Sequence, residues 1–212
     1  MRINRPRPEP LTIEVAAADG LEGFADARGL PVDYLTSIGV HISPDDSDKP
    51  GWIAIPYPHL TGYWHTRYRN PGPGPYGAGN PKYWAKPGTQ THLYNPQRLG
   101  PNTDLVIFTE GEIDAMVLGY LGYPAIGIPG ATIAQRFHGS WQLLFQDTHV
   151  IVALDPDPAG QTAASKLQEA FATRGQSHIL TVPEGSDIND WYLTDEAALR
   201  YAVDAVIAKG TP

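Results

Sequence analysis

Six carboxylates stand where strands would end. In TEGEIDA, which follows the apolar run LVIF, Glu110 comes immediately after the strand-like stretch 105–109, and Asp114 lies four residues on, one helical turn away, where it can stand on the same face. In HVIVALDPDPAG, Asp155 and Asp157 close a second apolar run, and in GSDINDWYL, Asp187 and Asp190 follow a third, SHILTV. Gathered at one edge, these acids would repel one another at a cost on the order of several kcal/mol unless cations neutralised them. The chain has no cysteine and no clustered histidine pair. Hard divalent ions that prefer oxygen donors, Mg²⁺ or Mn²⁺, are therefore the cofactors expected, two or more of them. A paired-metal carboxylate site serves phosphoryl transfer. Taken singly, each acid could equally cap a helix or sit in a turn. Three clusters, each at a strand end, point to a site.

The elements that must position these acids alternate. Strands are expected over 105–109, 123–128, 149–155 and 177–182, and helices over 113–121, 133–145, 159–174 and 194–209, the last capped by Thr194. Four such alternations predict a parallel, helix-covered sheet, with chemistry at the carboxyl ends of its strands. Upstream, LEGFADARGL and PVDYLTSIGV read as two short helices, with Pro31 suited to a first turn. GWIAIPYP and GYWHTRYRN read as aromatic-rich strands around a turn. NPGPGPYGAGNP, residues 70–81, is a loop, and its formal G-x-G-x-x-G fails because no helix can follow. The division expected is 1–100, a small mixed α+β basic subdomain, and 101–212, an α/β catalytic domain.

Charge separates the two halves. The net charge is −8, yet Lys49 to Thr103 contains no acid and six bases, Lys49, Arg67, Arg69, Lys82, Lys86 and Arg98. Aromatic residues are interleaved among these bases from Trp52 to Tyr94. Positive charge for phosphates and ring faces for unstacked bases suit a nucleic acid. Trp52, Tyr57 and Trp64 could instead form a small β core. The N-terminal segment MRINRPRPEPLTIE has no apolar signal core and no run approaches a membrane span, so a cytoplasmic protein without a membrane is expected.

At its acidic motifs the sequence resembles the TOPRIM fold of DnaG-type primases, phage primase-helicases, topoisomerases and some nucleases. TEGEIDA, ALDPDPAG and GSDINDWYL follow that family's order, with Ser186 standing where a lysine is frequent. Upstream, DARGLPVDYL, IAIPYPHLTGYWHTRYR and PKYWAKPGTQTHLYN resemble the basic subdomain of bacterial primases, although the Phe-x-Lys-Gly element before Leu-Tyr is shortened. The resemblance implies a TOPRIM parallel sheet flanked by helices behind that subdomain. It implies a DNA primase core that makes short oligoribonucleotide primers on single-stranded DNA from nucleoside triphosphates. Glu110, Asp155 and Asp157 would be catalytic, and Glu110, Asp114, Asp155, Asp157, Asp187 and Asp190 would hold metal. Arg67, Lys82 and Lys86 would hold template and nucleotide phosphates. Arg69, Tyr83 and Trp84 join them as nucleic-acid and nucleotide-binding candidates. Neither a zinc-binding motif nor a P-loop is present, so a replicative helicase or a separate template-recognition module is the expected partner. A bacterial or phage-infected cell is the expected setting. The alternatives are a TOPRIM metal-dependent nuclease and a non-catalytic DNA-binding replication module.

Overall fold

The computed structural model describes residues 20–210 apart from 60–61, 73, 78, 101–102, 137–138, 146 and 173–176. The first expected element, the N-terminal segment, lies outside the described residues. The chain opens with α1 (Gly20–Arg28) and α2 (Val32–Ser37), followed by β1 (His41–Ile42), β2 (Ile53–His59), β3 (Gly62–Arg69) and β4 (Tyr83–Ala85). These strands form an antiparallel sheet in sequence order. Pro31 stands at the N-cap of α2 with extended backbone (ψ 140°) rather than in its first turn, and its carbonyl accepts the first helical bond from the Leu35 N–H at 3.1 Å. Alternation divides this sheet into two faces. Arg67 and Arg69 on β3 and Tyr83 on β4 share one face, while Tyr68 and Trp84, directly paired across the strands, share the other.

The second sheet holds β5 (Leu105–Glu110), β6 (Ala125–Ile128), β7 (His149–Ala153) and β8 (Ser177–Ile179), all parallel, in the order β6-β5-β7-β8. The expected parallel α/β sheet is present, and β5, β6 and β7 are mostly apolar because both faces of the sheet are buried. On one face Val106, Phe108, Val150 and Val152 pack against Ala163, Leu167 and Phe171 of α6 (Pro158–Ala172). Phe108 is fully buried between Phe145 and Phe171, with ring centroids 5.3 and 5.8 Å away. On the other face Ile107 and Ile151 join α3 (Glu112–Tyr120) and α7 (Ile188–Lys209). That same cluster takes in Phe24, Leu35, Ile53, Ile55 and Tyr57 from the antiparallel region. The two sheets thus share one hydrophobic core, and the walls between them are held at fixed spacing.

Three expectations change. The single helix over 133–145 is two short ones, α4 (Ala131–Ala134) and α5 (Gly139–Leu144). The C-terminal helix starts at Ile188, not Thr194. Asp187 caps it, and Asp195, with φ −158° and ψ 85°, breaks it and caps the remainder by accepting from the Ala198 N–H at 2.9 Å. Thr194 instead donates to the Asp190 carbonyl at 2.8 Å. Sequence reading also found no histidine pair, yet His149 and His178 meet with ring centroids 5.2 Å apart on neighbouring parallel strands. Among the described residues no helix is long and apolar enough to cross a membrane.

Candidate functional site

Two glycines place the acids. Gly111 has φ of 110°, a region open to glycine, so the chain leaves β5 at Glu110 and enters α3 at once. Gly160, early in α6, lies against the Asp155 backbone so closely that a side chain there would collide with it. The x-Ala-Gly that follows the two aspartates therefore lets the helix pack onto the end of β7.

A cavity of about 220 Å³ opens where these elements face the antiparallel sheet. Glu110, Glu112, Asp114, Asp155 and Asp187 line it from one side, and Arg28, Arg67, Arg69, Lys82 and Tyr83 from the other. Of the six expected acids, four therefore meet in the cavity. Asp157 and Asp190 do not line it. Asp157 accepts from the Gly160 N–H at 2.7 Å and so caps α6, while the Asp190 N–H donates to Asp187 at 2.7 Å. Asp157 still contributes charge, which helps to raise the pKa of both Glu110 and Asp155.

The acid wall is destabilised as it stands. Burial, and then the charges of Glu110, Asp187 and Asp157, push the Asp155 carboxyl up to about 7. Burial raises Glu110 as well, offset in part by the Ala131 N–H it accepts at 3.1 Å. Asp114 is also raised well above its ordinary value, again by burial and then by Asp187 and Asp155, although it accepts from the Asn189 N–H at 3.0 Å. The second Glu110 oxygen, Oε2, is buried without a hydrogen-bond partner. A buried, unpaired carboxylate oxygen among mutually repelling acids suits a hard divalent cation. Among the described residues, however, no three His, Cys, Asp or Glu side chains already converge as a chelate.

The cationic wall is organised from within. Glu112, 1% exposed, accepts from Arg67 Nη1 at 2.6 Å and from the Tyr57 hydroxyl. Burial alone would lower the Arg67 pKa, but Glu112 and Tyr57 raise it. Tyr83 is the common neighbour of three cations. The Arg67 and Arg69 guanidinium carbons lie 4.2 and 5.2 Å from its ring centroid, the Lys82 Nζ lies 5.9 Å away, and Arg69 donates to its hydroxyl at 2.8 Å. With Arg67 over its ring and Arg69 on its hydroxyl, Tyr83 orders the cations of this wall. Burial, Arg69 and Arg28 lower the Lys82 pKa, while Asp187 and Asp155 raise it, so the two walls feel each other.

Lys86 and Trp84 do not line the cavity. Trp84 lies on the opposite face of the sheet, against Tyr68. Tyr57 and Tyr94, both essentially unexposed, are core residues. The sequence reading missed Arg28, Glu112 and Asn189. Asn189 ties both walls together, its Oδ1 accepting from Arg28 Nη1 and its Nδ2 donating to the Arg28 carbonyl, both at 3.0 Å, while its N–H holds Asp114. The Arg-Gly of DARGL was the available signal for Arg28, but nothing local linked it to a residue 161 positions away.

Comparison with known proteins points the same way. A Toprim-like family model matches residues 107–192. The Gene 57 protein of Mycobacterium phage D29 is 31% identical over 144 residues, covering 66% of this chain and 88% of its own. The primase fragment of the bacteriophage T7 primase-helicase superposes with a TM-score of 0.66 at 20% identity, over 86% of this chain and 72% of that one. The zinc-binding and RNA polymerase domains of Aquifex aeolicus primase superpose at 0.65 and 16% identity, over 87% of this chain and 55% of that one.

Proposed function

This chain belongs to the Toprim-like family and has the fold of a primase core, and from that premise we propose that it synthesises short primers on single-stranded DNA by nucleotidyl transfer. The observation that carries this reading is the single cavity in which Glu110, Asp114, Asp155 and Asp187 face Arg28, Arg67, Arg69 and Lys82. Opposed acid and base walls suit a reaction that joins a hydroxyl to a polyphosphate. Arg28, Arg69 and Lys82 bind the phosphates of template and incoming nucleoside triphosphate. Arg67, already paired with Glu112, holds their array rigid.

Glu110, Asp155 and Asp187, with Asp114 behind them, are the residues that would hold Mg²⁺ or Mn²⁺, which would supply charge neutralisation and Lewis acidity at the transferred phosphoryl group. Asp157 supports that set as the cap of α6, and Asp190 through the N–H by which it holds the Asp187 carboxylate at the start of α7. Glu110 would also take the proton of a primer 3′-hydroxyl. The hydroxyl oxygen then bonds to the α-phosphorus and pyrophosphate leaves. The division into a basic unit over 1–100 and a catalytic unit over 101–212, the single-stranded template, the nucleoside triphosphates and a helicase or template-recognition partner belong to this proposal.

The test is primer synthesis on single-stranded DNA with nucleoside triphosphates and Mg²⁺ or Mn²⁺, with products resolved on a denaturing gel. Oligonucleotides that disappear with Glu110→Gln are expected. Absence of product from the wild type, with and without a helicase, overturns the reading. Cleavage of the template without nucleotides would replace it with the nuclease.

A further inference from the structure

The cavity leaves the other face of the antiparallel sheet unexplained, and that face carries one exposed and several half-buried rings. Three of the five tryptophans lie on it or at its margin. Trp64, Thr66 and Tyr68 alternate along β3 with the cavity-facing Arg67 and Arg69. Trp64 is 52% exposed and stacks on His92, with centroids 4.5 Å apart and planes at 5°. Tyr68 lies against Trp84, with centroids 5.7 Å apart. Lys49 stands between Trp52 and Trp84, its Nζ 4.9 and 5.1 Å from the two ring centroids.

We propose that this outer face is a second contact surface for single-stranded nucleic acid, continuous with the cavity around the edge of β4. The inference rests on the reading that the cavity takes a single strand. Continuity comes from β4 itself, an edge strand of only three residues, flanked by Lys82 on the cavity side and by the exposed Lys86 at its far end. A strand leaving the cavity past Lys82 meets Trp84 and Tyr68 within the width of one β-strand. Sugar-phosphate backbone needs charge beside rings, and bases of any identity stack on aromatic faces. A protein partner fits less well, since lysine is depleted in the core of protein interfaces and here Lys49 sits at the centre of the patch. From Lys49 to Thr103 no acid opposes a phosphate, and the exposed Asp45, Asp46 and Asp48 bound the surface just before Lys49.

The experiment is fluorescence anisotropy of the full chain, without nucleotide, using labelled oligo(dT) and oligo(rU) of about 6 and about 18 nucleotides. In the wild type, the longer strand binds more tightly because it reaches both surfaces. Trp84→Ala is expected to weaken the longer strand by about tenfold and to bring the long-to-short affinity ratio toward one, with Trp84→Phe restoring most of it. Lys49→Glu with Lys86→Glu should act in the same direction, and serves if Trp84→Ala does not fold by circular dichroism. Loss with either polymer supports the surface, and the polymer affected tells template from product. A long-to-short ratio that stays at the wild-type value in the variants overturns this inference alone. Failure of the wild type to bind either length overturns it together with the cavity reading.

Discussion

The two walls of the cavity are built by different means. The acid wall is set by backbone: Glu110 ends β5, Asp155 lies two residues beyond β7, and Asp187 opens α7 after the loop that follows β8, so the parallel topology and a helix start deliver them to one rim. The cationic wall is set by side chains: Arg67 and Arg69 lie two residues apart on one strand and stay together because Glu112 and Tyr83 offset their repulsion. One wall is therefore a consequence of the fold, and the other depends on a few pairwise contacts. A substitution in the first should remove chemistry and leave the fold, whereas one that breaks the Arg67–Glu112 pair in the second should cost both.

The largest expected effect is on the acid wall. Glu110→Gln should reduce primer synthesis by about 10²–10⁴-fold with an unchanged circular dichroism spectrum. If the melting curve collapses as well, the distinction between the walls fails. On the cationic side, Glu112→Gln leaves the Arg67 guanidinium part-buried without its counter-charge. Stability should fall by about 2–3 kcal/mol, read as a shift of the urea midpoint, a figure lowered because Arg67 retains 24% side-chain exposure.

A smaller effect is a pH signature. The native Asp155 carboxyl titrates near 7 and the unfolded one near 3.8, so between those values the native chain holds a proton that the unfolded chain has released. The stabilisation from that proton is fully present below about 3.8 and is lost as pH rises through about 7. In chelator, the wild-type melting temperature should decline across this window more steeply than that of Asp155→Asn. Added Mg²⁺ should recover stability most at the upper end, because its ligand must be ionised there. Equal slopes for the two proteins would place the acid wall in ordinary solvent. The smallest effect belongs to Lys82→Ala, expected to lower the slope of log affinity against log salt for single-stranded DNA by about 1, with little change in melting temperature.

Much of the acid wall was legible in the chain because its signal is local. An apolar strand, a carboxylate at its end and a glycine for the turn occur within a few residues in TEGEIDA and LDPDPAG. Spacing could not show that Asp157 caps α6 and that Asp190 sits in the first turn of α7, both outside the cavity lining, since an acid after a strand and an acid that opens a helix look alike in sequence. Basic residues were legible as a composition and not as an arrangement. Lys86 and Trp84 shared the signal of Lys82 and Tyr83, and only the fold put Trp84 on the opposite face of the sheet and Lys86 past the end of β4, both outside the cavity lining.

By itself the sequence determined the parallel sheet, the order of the acid motifs and the acid-free character of residues 49–103, because periodicity, turn chemistry and charge are written in neighbouring positions. Tertiary structure alone decided which cations face the acids, that Glu112 binds Arg67 45 residues away, and that Asn189 joins Arg28 to Asp114. Those contacts depend on a shared core that presses two sheets together, and the distance between side chains across it is not a property of any local stretch of chain.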